Sequence, residues 1–104
     1  MTFTATEENY IKAIYHLQSV HEKVSTSLLS EEMQTKPASV TDMLKKLELK
    51  KTVHYQKYKG FILTELGNKK AINVVRKHRL WEYFLVNKLG FEWDEVHSMA
   101  EELE

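Results

Sequence analysis

The apolar positions follow one period up to about residue 52 and another just after it. From Thr6 to Gln18, Tyr10, Ile14 and Leu17 recur at helical spacing, with Ile11 and Tyr15 widening the same face, which predicts a first helix. Thr6 is the expected N-cap, and Glu7 and Glu8 suit the positive end of the helix dipole. Ser25-Thr-Ser interrupts the pattern, Ser27 is expected to cap a short helix from Leu28 to Met33, and Gln34-Thr-Lys forms a turn. Pro37 then opens another helix, since the first helical turn has no use for its missing N–H. Val40, Met43, Leu44 and Leu47 share one side of that helix, while Thr41, Lys45 and Lys46 lie away from it. Beyond Lys51 the period becomes two: Val53, Tyr55 and Lys57 alternate with His54, Gln56 and Tyr58, Lys59-Gly60 is the expected tip, and Phe61-Ile-Leu returns. Thr64 is placed to cap a long helix from Glu65 to about Lys88, stopped by Gly90. A last helix begins near Trp93 and runs to the end of the sequence.

Helix, short helix, helix, hairpin, helix is the order of a winged helix-turn-helix. The expected fold is therefore mainly α, with three helices and a β-hairpin wing followed by two more helices. A length of 104 residues suits a single modest core. The chain has no cysteine, which excludes disulfides and thiolate metal sites and leaves His, carboxylate and amide ligands. The N-terminus shows no positive region leading into an apolar run, and no apolar stretch has the length of a membrane span, so the expected location is the cytoplasm.

Charge changes the picture. The formal net charge is zero, yet twelve of the fifteen Lys/Arg and only three of the fifteen Asp/Glu lie between Lys36 and Arg79. A basic middle can neutralise phosphates, and an acidic end from Glu92 to Glu104 that also holds His97 can hold a cation. The helix opened by Pro37 is placed to enter a major groove N-terminus first, presenting Lys36, Pro37, Ala38, Ser39, Thr41 and Asp42 to double-stranded DNA. Lys45 and Lys46, with Lys50 and Lys51, can meet the phosphate backbone, and Lys57, Tyr58 and Lys59 sit near the tip of the wing. A lysine run by itself is more often a solvated helix face; the order of elements gives this one its meaning. Tyr55, Tyr58 and Phe61 read as hairpin packing rather than as a stacking platform for single strands.

His78 and Glu82 are four apart on the long helix, and His97, Glu101 and Glu104 form a stripe on the last one. Two such stripes on helices joined by the short Leu89–Glu92 connection can converge. Imidazoles and carboxylates without sulfur suit a divalent ion such as Mn2+, Fe2+, Zn2+ or Co2+. Singly, each His–Glu pair is more often a solvated ion pair. Two rival readings remain: a winged-helix DNA-binding domain without a metal response, and a metal-dependent hydrolase. The second would need a substrate pocket beside an open metal position, and the short connections offer no loop to build one.

Glu8-Asn-Tyr-Ile-Lys-Ala-Ile-Tyr, Pro37-Ala-Ser-Val-Thr-Asp-Met-Leu-Lys-Lys-Leu, Leu63-Thr-Glu-Leu-Gly and above all Arg76-Lys-His-Arg-Leu-Trp-Glu resemble the diphtheria-toxin-repressor family of metal-dependent transcriptional regulators. Val96-His and Glu101-Glu-Leu-Glu follow at the expected distance. The resemblance implies a repressor of metal-homeostasis genes with a divalent corepressor, Fe2+ or Mn2+ first and Zn2+ or Co2+ next. It also implies a homodimer on a pseudo-palindromic operator, and no enzymatic activity. It places a winged helix-turn-helix over residues 1–64 and the start of a dimerisation and metal-binding region over 65–104. His78, Glu82 and His97 correspond to an ancillary metal site, and Glu101 and Glu104 to a primary one. Asn9 falls where the first helix supplies a primary ligand, so an amide oxygen would serve there. Lys12 stands where manganese-type members carry Glu, which argues against their usual two-ion cluster. The family's primary site continues with a His just after the position of Glu104, so the chain is expected to be part of a longer protein. Trp81, Phe84, Leu85, Trp93 and Met99 are the apolar residues expected to support self-association.

Overall fold

The first helix starts two residues earlier than its pattern predicts, because a reciprocal cap is available there. Thr4 accepts a hydrogen bond from the Glu7 N–H at 3.1 Å, and Glu7 accepts one from the Thr4 N–H at 2.8 Å. Thr6, the expected cap, is instead inside α1 (Ala5–Val20). The same correction applies to α2 (Thr26–Met33): Ser25 rather than Ser27 caps it, accepting from the Leu28 N–H at 3.1 Å. The computed structural model describes residues 2–103. After α2, Gln34 adopts a left-handed conformation that ends the helix and turns the chain toward α3 (Pro37–Leu49). The hairpin of β1 (Val53–Gln56) and β2 (Gly60–Leu63) follows, antiparallel, with Val53 opposite Leu63 and Gln56 opposite Gly60. Two helices complete the chain, α4 (Glu65–Leu89) and α5 (Trp93–Leu103). This is the winged helix-turn-helix with two further helices that the element order predicts.

Two compact units divide the chain, Met1–Ala71 and Ile72–Glu104. In the first, Tyr10, Ile11, Ile14 and Leu17 of α1 pack with Leu29 of α2, Val40, Leu44 and Leu47 of α3, and Val53 and Leu63 of the hairpin. Burying these side chains on one face of each helix is what holds α2 and α3 together as a pair. In the second unit, Leu85 of α4 packs with Val96 and Ala100 of α5, flanked by Trp81, Val86, Phe91 and Met99. Leu85 is thus a core residue, 2% exposed, and not part of a free apolar surface as its sequence context suggests. Thr64 caps α4 as expected, accepting from the Gly67 N–H at 3.1 Å, and Gly90 ends it at φ +76°.

The tip of the wing differs from the expected Lys59-Gly60. Lys57–Lys59 form the turn, and Gly60 is already the first residue of β2. Gly60 pairs in parallel with Val24: the Val24 N–H donates to the Lys59 carbonyl and the Phe61 N–H to the Val24 carbonyl, each at 2.9 Å. This seam pins the wing to the connection between α1 and α2. A Cβ on Gly60 would come within 2.1 Å of the Val24 oxygen, and φ is +73°. Gly60→Ala is therefore expected to open the seam and to cost about 2 kcal/mol or more, left-handed strain plus a steric clash. Gly90→Ala, at a similar φ with nothing near its Cβ, should cost only about 1–2 kcal/mol. Denaturant unfolding of both variants, with amide exchange at Phe61, checks this; equal losses would contradict the seam.

Candidate metal centre and nucleic-acid interface

The side chains of α3 divide as its apolar period demands. Val40, Leu44 and Leu47 are buried, whereas Lys36, Pro37, Ala38, Ser39, Thr41, Asp42, Lys45 and Lys46 are all exposed. Thr41 donates its hydroxyl proton to the Pro37 carbonyl at 3.0 Å, and its exposed hydroxyl oxygen can still accept a hydrogen bond. On the wing, Lys57 and Lys59 are exposed. Tyr55 stacks edge-on against Phe61 at 5.2 Å, which is hairpin packing as expected. Tyr58 departs from that expectation: it is 80% exposed, with the Lys57 ammonium 5.6 Å from its ring centroid. A short helix, a turn and an exposed helix N-terminus bearing lysines, beside a lysine-bearing wing, form a surface suited to duplex DNA.

Lys50 does not join that surface. Its ammonium lies 2.8 Å from each carboxylate oxygen of Glu7, donates to the Thr2 carbonyl at 2.9 Å and sits 4.9 Å from the Phe3 ring centroid. Lys70 approaches the same ring, at 5.1 Å, and pairs with Glu8 at 2.9 Å. Lys50 is a strut between α1 and the end of α3, not a phosphate contact. Nothing in a run of lysines marks which one turns inward; the only available signal is the Glu7 that falls three residues after a Thr.

In the second unit, the helical spacing of His78 and Glu82 on α4 puts both on the side facing α5. His78 Nε2 lies 3.1 Å from His97 Nδ1 and 3.3 Å from Glu82 Oε1, and Glu82 Oε2 is 3.9 Å from His97 Nδ1. One ligand atom from each residue can be chosen so that all lie within 4.8 Å of one another. On an octahedral ion with bonds of ~2.1 Å, neighbouring ligands stand ~3.0 Å apart, and on a tetrahedral one ~3.4 Å. The two edges from His78 fall within that range and the Glu82–His97 edge is longer, so the donor set can hold one divalent cation after a side-chain adjustment. The two facing imidazole nitrogens have room for one proton between them, in the space a cation would take. His78 is buried, Glu82 is half-buried and His97 is exposed, so the inner wall of the centre is fixed by packing and its outer wall is open. Neutral imidazole and an ionised carboxylate make a borderline-to-hard site.

The remaining expected ligands are not part of this group. Glu101 lies one turn beyond His97, its Oε1 3.5 Å from His97 Nε2, the nitrogen pointing away from the centre. Asn9 is exposed on α1 in the first unit. Glu104 lies outside the described residues. Among the described residues no helix is long and apolar enough to cross a membrane.

Two family models together match nearly the whole chain. Residues 2–61 match "Iron dependent repressor, N-terminal DNA binding domain", and residues 64–104 match "Iron dependent repressor, metal binding and dimerisation domain". The HTH-type transcriptional regulator MntR of Oceanobacillus iheyensis is 34% identical over 97% of this chain and 68% of its own length. MntR of Bacillus subtilis (strain 168) is 33% identical over 97% of this chain and 70% of its own. Among solved structures, ScaR with bound Zn2+ superposes with a TM-score of 0.86 at 39% identity, covering 93% of this chain and 45% of that one. The manganese regulator SloR superposes with a TM-score of 0.79 at 41% identity, covering 99% of this chain and 47% of that one. The chain thus spans about two thirds of the length of these MntR proteins and less than half of these two solved chains.

Proposed function

Because this chain belongs to the iron-dependent repressor family, a family of metal-dependent transcriptional regulators, we propose that it is the DNA-reading and metal-sensing part of such a repressor. The observation that carries this reading is the convergence of His78, Glu82 and His97 from two helices, in a chain that also exposes a helix-turn-helix with a lysine-bearing wing. We assign residues 1–64 to DNA binding and 65–104 to metal binding and dimerisation. The cation is Mn2+ or Fe2+, with Zn2+ and Co2+ as further candidates for the same donor set. When bound, it would supply positive charge that holds α4 and α5 in one arrangement. Asn9, Glu101 and Glu104 are each carried over as candidate cation ligands on the strength of the resemblance alone. The protein works in the cytoplasm as a homodimer on a pseudo-palindromic operator, whose symmetry mirrors its own. Exposed Leu80, Tyr83, Phe84 and Trp93 are the apolar residues available to the dimer.

The division of labour on α3 gives the test. Lys45→Ala and Lys46→Ala should each weaken binding to every duplex and reduce the salt slope by about one. Ser39→Ala and Thr41→Ala should change the preferred sequence. The check is a DNA-shift titration at several salt concentrations, with and without Mn2+. If the two lysine variants leave binding to all duplexes unchanged, the placement of α3 on DNA is wrong. If metal and DNA affinities prove independent, a winged-helix domain without metal response is the better reading; coupling must appear equally from both sides.

A further inference from the structure

The three proposed ligands are not equally well held. His78 is 8% exposed, so burial restrains its ring together with its contacts to His97 and Glu82. His97 is on the outer wall, with its side chain 65% exposed, so nothing comparable restrains its rotamer. Its two ring nitrogens nevertheless face different groups. Nδ1 faces His78 Nε2 at 3.1 Å and Glu82 Oε2 at 3.9 Å, whereas Nε2 faces Glu101 Oε1 at 3.5 Å. A nitrogen that takes a cation must be free of its proton, so in the loaded centre the proton of His97 has to sit on Nε2. Glu101 is four residues along α5, so the helix itself places its carboxylate beside that proton.

We propose that Glu101 is a positioning residue for this centre: it holds His97 with Nδ1 toward the cation by accepting the Nε2 proton. This rests on the reading of His78, Glu82 and His97 as a cation site. It gives Glu101 a task within the second unit that the ligand role implied by resemblance does not include. A carboxylate behind a metal-bound imidazole fixes the ring and its tautomer and makes the ligating nitrogen a stronger donor. The need is greatest at the exposed ligand, and that is the one Glu101 touches. Closing the 3.5 Å separation to a hydrogen bond takes only a small rotation of an exposed carboxylate, which a charged partner on the other side of the ring would favour.

The test titrates the protein with Co2+ alone, reading its visible absorption, in the wild type and in His78→Ala, Glu101→Ala and Glu101→Gln. Nitrogen NMR of the Zn2+-loaded protein reads which ring nitrogen of His97 carries the proton. Glu101→Ala should weaken Co2+ binding at this centre ten- to a hundredfold, with unchanged stoichiometry there. It should also leave the His97 Nε2 proton in fast exchange. Glu101→Gln, whose amide oxygen still accepts, should recover most of the affinity. A Glu101→Ala protein that binds Co2+ at this centre as tightly as the wild type would overturn the proposal, as would a Zn2+-loaded wild type in which His97 Nδ1, and not Nε2, carries the proton. His78→Ala separates the two levels: if it also binds Co2+ undiminished, the cation-site reading itself has failed. If it loses the ion while Glu101→Ala does not, only the role of Glu101 has.

Discussion

A His78→Ala protein is expected to lose its tight divalent cation while keeping its fold in the first unit. His78 is the innermost of the three ligands, and its Nε2 is the atom from which the distances to both other ligands are shortest. Removing it leaves Glu82 and His97, whose nearest ligand atoms are 3.9 Å apart and which line the open side of the centre. Two ligands on a solvated edge hold a divalent ion weakly. The loss should therefore exceed the ten- to hundredfold that removing a merely supporting residue costs. Protons compete with the metal for both imidazoles, so wild-type affinity must fall as pH is lowered, and metal uptake must release protons. Calorimetric titration with Mn2+ in two buffers of different ionisation enthalpy measures affinity and proton release together. A His78→Ala protein with wild-type affinity and stoichiometry would refute the centre.

What could be read from the sequence, and what could not, follows from the range of the interactions involved. The inner faces of α1 and α3 are visible because burial repeats every three or four residues: Tyr10, Ile14 and Leu17, then Val40, Leu44 and Leu47. The pairing of His78 with Glu82 is visible for the same reason. Convergence with His97 needed a second helix to fold back, which a short connection and a family resemblance suggest but spacing alone does not establish. The observed caps differ from the expected ones because Thr4 and Thr6, and likewise Ser25 and Ser27, are chemically equivalent candidates. Only the Glu7 three residues after Thr4 separates the first pair, since its carboxylate can return the bond. The seam between Val24 and Gly60 leaves no pattern at all, because one residue has no period. Its trace is Gly60 itself, which reads as a turn residue but is needed because the Val24 carbonyl occupies the space of a Cβ.

Lys50→Ala is expected to be the most damaging of the lysine substitutions, and to act on stability rather than on DNA. The Glu7 carboxylate is 4% exposed and depends on Lys50 for its charge balance. Burial by itself raises the pKa of Glu7. The hydrogen bond and charge of Lys50, together with the bonds from Thr4, outweigh it, and the net shift is downward. A carboxylate whose pKa is lowered on folding stabilises the fold above the ordinary carboxylate range. That contribution is lost as pH falls through the lowered folded-state value. Without Lys50 the largest opposing group is gone, and an ionised Glu7 is left buried with only the Thr4 cap. Breaking a buried pair typically costs 3–5 kcal/mol, but the Lys50 end is 29% exposed and water can replace part of it, so about 2 kcal/mol is the reasonable expectation. In a domain of this size that lowers Tm by about 10 °C. The loss should be full at neutral pH and should shrink at acid pH, where Glu7 is protonated in both proteins. Glu7→Gln should show a similarly flattened acid limb. Lys45→Ala, whose ammonium is on the exposed face, should leave the stability within about 0.5 kcal/mol of wild type while changing the salt slope for DNA. Thermal unfolding of the three variants between acid and neutral pH is the measurement. A Lys50→Ala protein that melts with the wild type at neutral pH, but binds DNA with a shallower salt dependence, would return Lys50 to the phosphate-contacting surface and remove the strut.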